Sequence, residues 1–70
     1  MGIAVGDTVR WNWGSGTGTG AVTERFTSKV TCRIKGTDVT RDGSVSDPAF
    51  LIEQEDGDIV LKSNSELERI

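Results

Sequence analysis

The stretch Val5-Gly6-Asp7-Thr8-Val9-Arg10-Trp11 decides the fold that we predict for this chain. Its Gly-Asp pair is typical of a turn, and the residues after it alternate between apolar and polar side chains, as in a half-buried β-strand. A second turn pair, Asp56-Gly57, separates two apolar runs, Phe50-Leu51-Ile52 and Ile59-Val60-Leu61. Together the two turns and their flanking strands predict a small antiparallel barrel built from hairpins.

The length and composition of the chain predict a single domain over residues 1–70. Only 34% of the 70 residues are hydrophobic, which is enough for one compact core. A core of this size supplies about 3–5 kcal/mol of stability, which leaves homodimerisation open. The formal net charge is −3, with eight basic and eleven acidic residues. This balance disfavours a polyanionic partner such as nucleic acid, because such partners are bound through basic patches.

The residue types give no support to catalysis. The chain has no histidine, so it lacks the commonest general base and the commonest metal ligand. Cys32 is the only cysteine, which excludes an intrachain disulfide and a four-cysteine metal site. The acidic residues around Asp56 lack the spacing of a calcium loop, and we interpret them as a solvated turn. We therefore predict a protein that is not an enzyme and has no metal and no cofactor.

The location of the protein is predicted from two further absences. No apolar run approaches the ~20 residues that a membrane helix needs. The first residues lack the basic-then-apolar layout of a signal peptide. We therefore expect a cytoplasmic protein that does not associate with membranes.

Strand one is predicted over residues 7–13, with Val9, Trp11 and Trp13 on one face. In residues 14–20, glycines alternate with serine and threonine, and we expect a flexible loop because glycine is costly to order. The motif Gly16-x-Gly18-x-x-Ala21 loosely matches a dinucleotide-binding fingerprint. A strand rather than a helix is predicted after it, so we assign it no cofactor.

Strand two is predicted over residues 20–27, with Val22 and Phe26 pointing inward. Glu24 has the same parity, which would bury a carboxylate. We therefore expect a β-bulge or a strong bend at residues 23–25, because an extra residue restores the outward position of the charge.

The next two strands form a hairpin in which Lys35-Gly36 is the two-residue turn. This register places Cys32 opposite Val39, Arg33 opposite Asp38 and Thr31 opposite Thr40, and each of these pairs is favourable. Cys32 is interpreted as a small buried apolar residue.

The remainder of the chain is predicted as a loop over 42–48 and strands over 49–55 and 58–62. Ser63 and Glu66 have the spacing of a capping box, so we expect one short helical turn after the last strand. That turn would place Leu67 and Ile70 against the open end of the barrel. The predicted fold is all-β, a small antiparallel barrel of five to six short strands with a short C-terminal helical turn.

Five stretches of the sequence together carry a resemblance to a known family: Val5-Gly6-Asp7-x-Val9-x-Trp11, Gly20-x-Val22, Lys35-Gly36-x-x-Val39, Asp47-Pro48-Ala49-Phe50-Leu51-Ile52 and the run from Asp56-Gly57 to Leu67. Through them, nearly the whole chain resembles the hypervirulence-associated protein Tudor-like domain family. The resemblance implies an SH3-like barrel. Tudor domains that read methyl-lysine use a cage of several aromatic residues. This chain has two Trp, two Phe and no Tyr, so we do not expect a complete cage.

The predicted function is a noncatalytic interaction module that binds a protein or peptide. Trp13 ends its strand beside the glycines, where it is either a lid on the core or an exposed platform for a partner. The candidate binding residues are Trp13, Gly16, Gly18 and Phe50. Two modes are open: a groove lined by Trp13 and Phe50, or pairing along an exposed strand edge.

Two other functions remain open at this point. The first is nucleic-acid binding through a basic face formed by Arg10, Arg25, Arg33, Lys35 and Arg41. The second is self-association, with the barrel acting as a structural or stress-related protein.

Overall fold

The computed structural model describes residues 2–70 as seven β-strands and one 3-10 turn. The strands are β1 (Thr8–Trp13), β2 (Gly16–Phe26), β3 (Lys29–Ile34), β4 (Thr37–Asp42), β5 (Ala49–Glu53), β6 (Ile59–Ser63) and β7 (Glu68–Arg69). The 3-10 turn spans Asn64–Glu66. No helix of residues 2–70 is long and apolar enough to cross a membrane.

Five strands form one antiparallel sheet in the order β6-β5-β2-β1-β7, and β3 and β4 form a separate hairpin. The hairpin approaches β6, where Ile34, Val39 and Val60 line the cleft between the two sheets. The predicted all-β fold is confirmed. One strand more than expected lies within the described residues, because β7 adds two residues beside Val9 and Arg10 at the edge of β1.

The core lies where alternate residues of β1, β2 and β5 face inward. Its cluster of buried side chains consists of Val9, Trp11, Val22, Phe50 and Ile52. On β1 the outward residues Thr8, Arg10 and Asn12 are exposed, as expected for a sheet with one buried face, whereas Leu51 on β5 is half-buried. Burial of these large side chains supplies most of the stability of a chain this short.

The prediction of a flexible loop over residues 14–20 is wrong. The turn consists of Gly14 and Ser15 alone, and β2 begins at Gly16. The register pairs each even-numbered glycine of β2 with a large inward residue of β1: Trp13 with Gly16, Trp11 with Gly18 and Val9 with Gly20.

The glycines are needed because bulky groups cover them. A Cβ at Gly18 would lie 2.6 Å from the Trp11 indole, and one at Gly20 would lie 2.6 Å from the carbonyl oxygen of Glu53. The entropic cost of ordering glycine is therefore outweighed by packing that a larger residue would prevent.

The expected irregularity in β2 is confirmed. The pairing of β2 with β5 shifts between Val22 and Glu24, as in a β-bulge. Val22 is buried and Glu24 is exposed, so the extra residue removes the carboxylate from the core.

The β3–β4 hairpin has the predicted register throughout. Lys35 and Gly36 both have positive φ, 51° and 78°, as the two central residues of a type I′ turn require. Cys32 pairs with Val39 and is half-buried. The hydroxyl oxygens of Thr31 and Thr40 lie 2.8 Å apart.

The predicted helical turn after β6 is confirmed. The backbone N–H of Ser63 donates to Glu66 Oε1 at 2.8 Å, which is the expected contact from the third residue of a capping box. Leu67 then packs against the core, as expected. Ile70 does not, since it is 68% exposed. Its N–H instead donates to the carbonyl oxygen of Thr8, beside β7.

We predict that Gly18→Ala destabilises the domain by about 1–3 kcal/mol, because the new methyl group overlaps the buried Trp11 ring. Gly16→Ala is the matched control. Its Cβ would lie 3.0 Å from the Trp13 ring, a milder overlap than the 2.6 Å at Gly18 and with a ring that is mostly in solvent, so the loss should be clearly smaller. Urea unfolding of both variants measures the difference, and an equal loss would contradict this packing.

Candidate functional site

Trp13 is the large aromatic side chain that the fold leaves in solvent. Its exposure is 59%, whereas that of Trp11, two residues earlier on the same face, is 5%. The Trp13 ring lies against Gly16, the residue opposite it on β2. Trp13 therefore forms a platform at the end of β1, fixed from below by its strand partner.

A groove of about 370 Å³ runs beside this ring. We call it the Trp13 groove; its lining residues are Trp13, Thr17, Gly18, Thr19, Gln54, Glu55 and Asp56. A second groove, of about 450 Å³, continues from it and shares Thr19, Gln54 and Glu55. We call this continuation the Glu53 groove, since Glu53 lies in its wall. The two grooves together follow β2 and the turn between β5 and β6.

The Trp13 groove contains a strand edge. Pairing of β2 with β5 begins only at Ala21 and Glu53, so residues 16–19 have β1 on one side and no paired strand of residues 2–70 on the other. The N–H of Val22 donates to the carbonyl oxygen of Asp7, the residue before β1. In an antiparallel pair, every second residue of a strand directs its N–H and C=O groups to the same neighbouring strand. The N–H and C=O groups of Thr17 and Thr19 therefore point away from β1, toward the groove.

The sequence placed four residues in the binding site, and the structure separates them. Trp13 is exposed, and Gly16 and Gly18 lie beneath the rings of Trp13 and Trp11. Phe50 is fully buried, so the predicted groove lined by Trp13 and Phe50 is wrong. The reason is that β5 lies between β2 and β6, which directs its inward residues into the core.

Five of the groove residues were missed from the sequence: Thr17, Thr19, Gln54, Glu55 and Asp56. A signal for the two threonines was present. Glycine at even positions and threonine at odd positions have the period of two that indicates a strand, and the outward side of that strand is its threonine side. Nothing local indicates that the β5–β6 turn comes beside this edge, because that contact depends on sheet order.

The alternative basic face does not form as an unpaired surface. Four of its five residues have a carboxylate partner: Arg10 with Glu68 at 3.3 Å, Arg33 with Asp38 at 3.9 Å, Lys35 with Asp58 at 2.8 Å and Arg41 with Glu66 at 2.9 Å. Arg25 forms no ion pair within residues 2–70. The hydrogen bond to Asp58, with the charge of that carboxylate, raises the pKa of Lys35. The four paired side chains also belong to different sheets, Arg10 to the larger one and the others to the hairpin.

Glu66 is the most connected carboxylate of these pairs. Its oxygens accept from Arg41 and from the Ser63 N–H, and Lys62 lies within 3.8 Å. Burial raises the pKa of Glu66, but the hydrogen bonds from Arg41 and Ser63 and the charges of Arg41 and Lys62 outweigh it. The pKa of Glu66 is therefore lowered from its ordinary value of 4.5.

Comparison with protein families identifies one match. The model described as the hypervirulence associated proteins Tudor domain matches residues 6–67. Searches among curated proteins and among solved structures found no match.

We predict that Glu66→Gln lowers the free energy of unfolding at pH 7 by about 0.5–1 kcal/mol, the upper range for partly exposed ion pairs. A carboxylate with a lowered folded-state pKa stabilises the fold above its unfolded pKa, and this contribution disappears as the pH falls through the folded value. The difference in the free energy of unfolding between wild type and variant should therefore disappear as the pH falls below about 4.5. Urea unfolding at a series of pH values measures it.

Glu24→Gln provides the control for this measurement, because Glu24 is exposed and makes no ion pair within residues 2–70. Its stability should follow that of the wild type at pH 7. A Glu66→Gln difference that stays constant down to pH 3 would show that the charge of Glu66 does not stabilise the fold.

Proposed function

We propose, since the chain belongs to the hypervirulence-associated Tudor domain family, that it is a noncatalytic interaction module for an extended peptide segment of a partner protein. The segment would add as a strand to β2 in the Trp13 groove. The observation that carries this proposal is the open edge at Thr17 and Thr19 beside the exposed ring of Trp13.

Strand addition fits the backbone groups that the groove presents. An open edge offers N–H and C=O groups that pair with any extended chain, and these bonds provide affinity without depending on sequence. The edge here is short, because β5 occupies β2 from Ala21 onward. A partner would therefore form only a few backbone hydrogen bonds with β2. Side-chain contacts would have to supply the rest of the affinity.

Trp13 supplies that anchoring. A Trp side chain has an area of about 150–250 Å² and concentrates binding energy at interfaces. It stands at the end of the open edge and lines the same groove. A peptide paired with Thr17 and Thr19 would cover part of its exposed ring.

The binding surface is already formed in the free protein. β2 is held by its pairing with β1 and by the Trp11 ring over Gly18, so little conformational entropy is lost when a peptide binds. The short edge limits the number of bonds. We expect dissociation constants near the micromolar range, or roughly −8 kcal/mol.

Nucleic-acid binding receives no comparable support. Four of the five residues that would carry it are paired with a carboxylate, and contact with phosphate would require those pairs to open. A phosphate backbone would also approach a chain of net charge −3.

The proposal predicts that Trp13→Ala leaves the fold intact and weakens peptide binding. Twelve-residue random peptides displayed on phage are selected on the wild type, and the affinities of selected peptides are then measured by calorimetry. Trp13→Ala should weaken them by tenfold or more, since it removes the anchor. Circular dichroism should show a native spectrum, because the ring is mostly in solvent.

Val45→Ala is the matched control, since Val45 is another strongly exposed apolar side chain, at 79%, and lines neither groove. It should not change the affinity. Thr19→Pro removes one N–H from the open edge and should weaken the same peptides. Selected peptides that bind wild type and Trp13→Ala equally would contradict the proposed site.

A further inference from the structure

We infer that the segment recognised by the Trp13 groove is basic, with arginine or lysine side chains set against Glu53, Glu55 and Asp56. This inference rests on the proposed function and adds the chemistry of the partner. It starts from the distribution of charge over the described residues.

Six carboxylates lack a basic partner within residues 2–70, and three of them, Glu53, Glu55 and Asp56, lie together at the two grooves. Glu55 and Asp56 line the Trp13 groove, and Glu53 and Glu55 line its continuation. Neither lining contains a lysine or an arginine. Within residues 2–70, six ion pairs engage six different basic side chains, and none of these pairs includes Glu53, Glu55 or Asp56.

Six of the eight basic side chains are thus paired with carboxylates that line neither groove. One of them, Lys35, is held by Asp58 and lies close enough to Asp56 for the two charges to attract, whereas Glu53 and Glu55 keep their negative charge in the groove walls. Asp56 Oδ1 accepts the N–H of Asp58 at 2.9 Å, which fixes the turn. Its other oxygen is not used in that bond. A ligand that brings positive charge would therefore meet acceptors already held in place.

Trp13 favours the same chemistry. The face of an indole ring attracts a guanidinium or ammonium group, and arginine stacks on such a ring while donating to a carboxylate. Trp13 shares its groove with Glu55 and Asp56, so both interactions are available to one arginine. A neutral or acidic segment would use the ring alone and would leave the carboxylates uncompensated.

Other occupants fit the groove less well. A second copy of this chain would bring the same carboxylates against each other and an overall charge of −3. No group of three or more potential metal ligands occurs within residues 2–70, so the acidic turn does not form a cation cage. Trp13 is the one aromatic residue in the two linings, which is too few for an aromatic cage.

The geometry of an added strand sets the spacing of the basic residues. Side chains at alternate positions of a strand point to the same side. Residues that reach the acidic turn should therefore occur at every second position of the peptide. The expected motif is an extended segment with two or three alternating arginine or lysine residues.

The test uses four synthetic ten-residue peptides in which threonine alternates with arginine, lysine, glutamine or glutamate. Each is titrated into ¹⁵N-labelled protein, and the two indole N–H resonances and the backbone amides are followed. We expect the arginine and lysine peptides to shift Trp13 and residues 17–19 but not the buried Trp11. The glutamine and glutamate peptides should bind at least tenfold more weakly.

The double variant Glu55→Gln/Asp56→Asn should weaken the arginine peptide about tenfold. The control Glu24→Gln/Asp42→Asn removes the same charge from residues outside both linings and should change the affinity less than twofold. Raising the salt concentration from 0.05 to 0.5 M should weaken wild-type binding severalfold, because exposed charges are screened.

The failures of the two proposals differ. Equal binding of the glutamine and arginine peptides at Trp13 would overturn the basic partner and support the peptide site. Phage-selected peptides that require Trp13 but show no excess of basic residues would lead to the same conclusion. Equal weakening by the two double variants would overturn the inference, since binding would then follow net charge alone. Selected peptides that never require Trp13 would overturn both proposals.

Discussion

The contact between the Trp11 indole and the backbone of Gly18 is the constraint on which the rest of the structure depends. It places a large aromatic ring across the neighbouring strand, in space that any side chain at position 18 would occupy. Trp13 lies over Gly16 in a similar way, whereas Gly20 is covered by Ile52 and the Glu53 carbonyl group of β5. The barrel thus buries two large residues of β1 in a very short chain, with the glycines of β2 providing the volume.

The same arrangement creates the candidate site. The glycines allow β2 to begin at Gly16, whereas its pairing with β5 begins only at Ala21. The first residues of β2 therefore project beyond β5. The projecting part has one free edge, an exposed Trp13 at its end and the acidic β5–β6 turn beside it. A flexible loop in this position would offer neither a fixed edge nor a fixed ring. The site is therefore a consequence of how the core is packed, and it needs no additional element.

The parts of the fold that depend on neighbouring residues could be predicted from the sequence. The Lys35-Gly36 turn determines the register of its hairpin, and the parity conflict at Glu24 indicates a bulge. Residues 14–20 were wrongly predicted as a flexible loop because the prediction used the conformational preference of glycine alone. It did not include the residues of β1 that pair with these glycines across the hairpin. Phe50 was wrongly predicted as binding surface, since its burial on β5 depends on the order of the strands.

Amide hydrogen exchange at residues 16–22 tests the central claim most directly. The N–H of Val22 donates to Asp7, and the alternation of the strand directs the amides of Gly18 and Gly20 to β1 as well. The account predicts that Gly18 and Gly20 exchange as slowly as Val22, while Thr17 and Thr19 on the open edge exchange near the rate of an unstructured peptide. Rapid exchange of Gly18 and Gly20 beside a protected Val22 would show that the segment is a loop and would contradict the account.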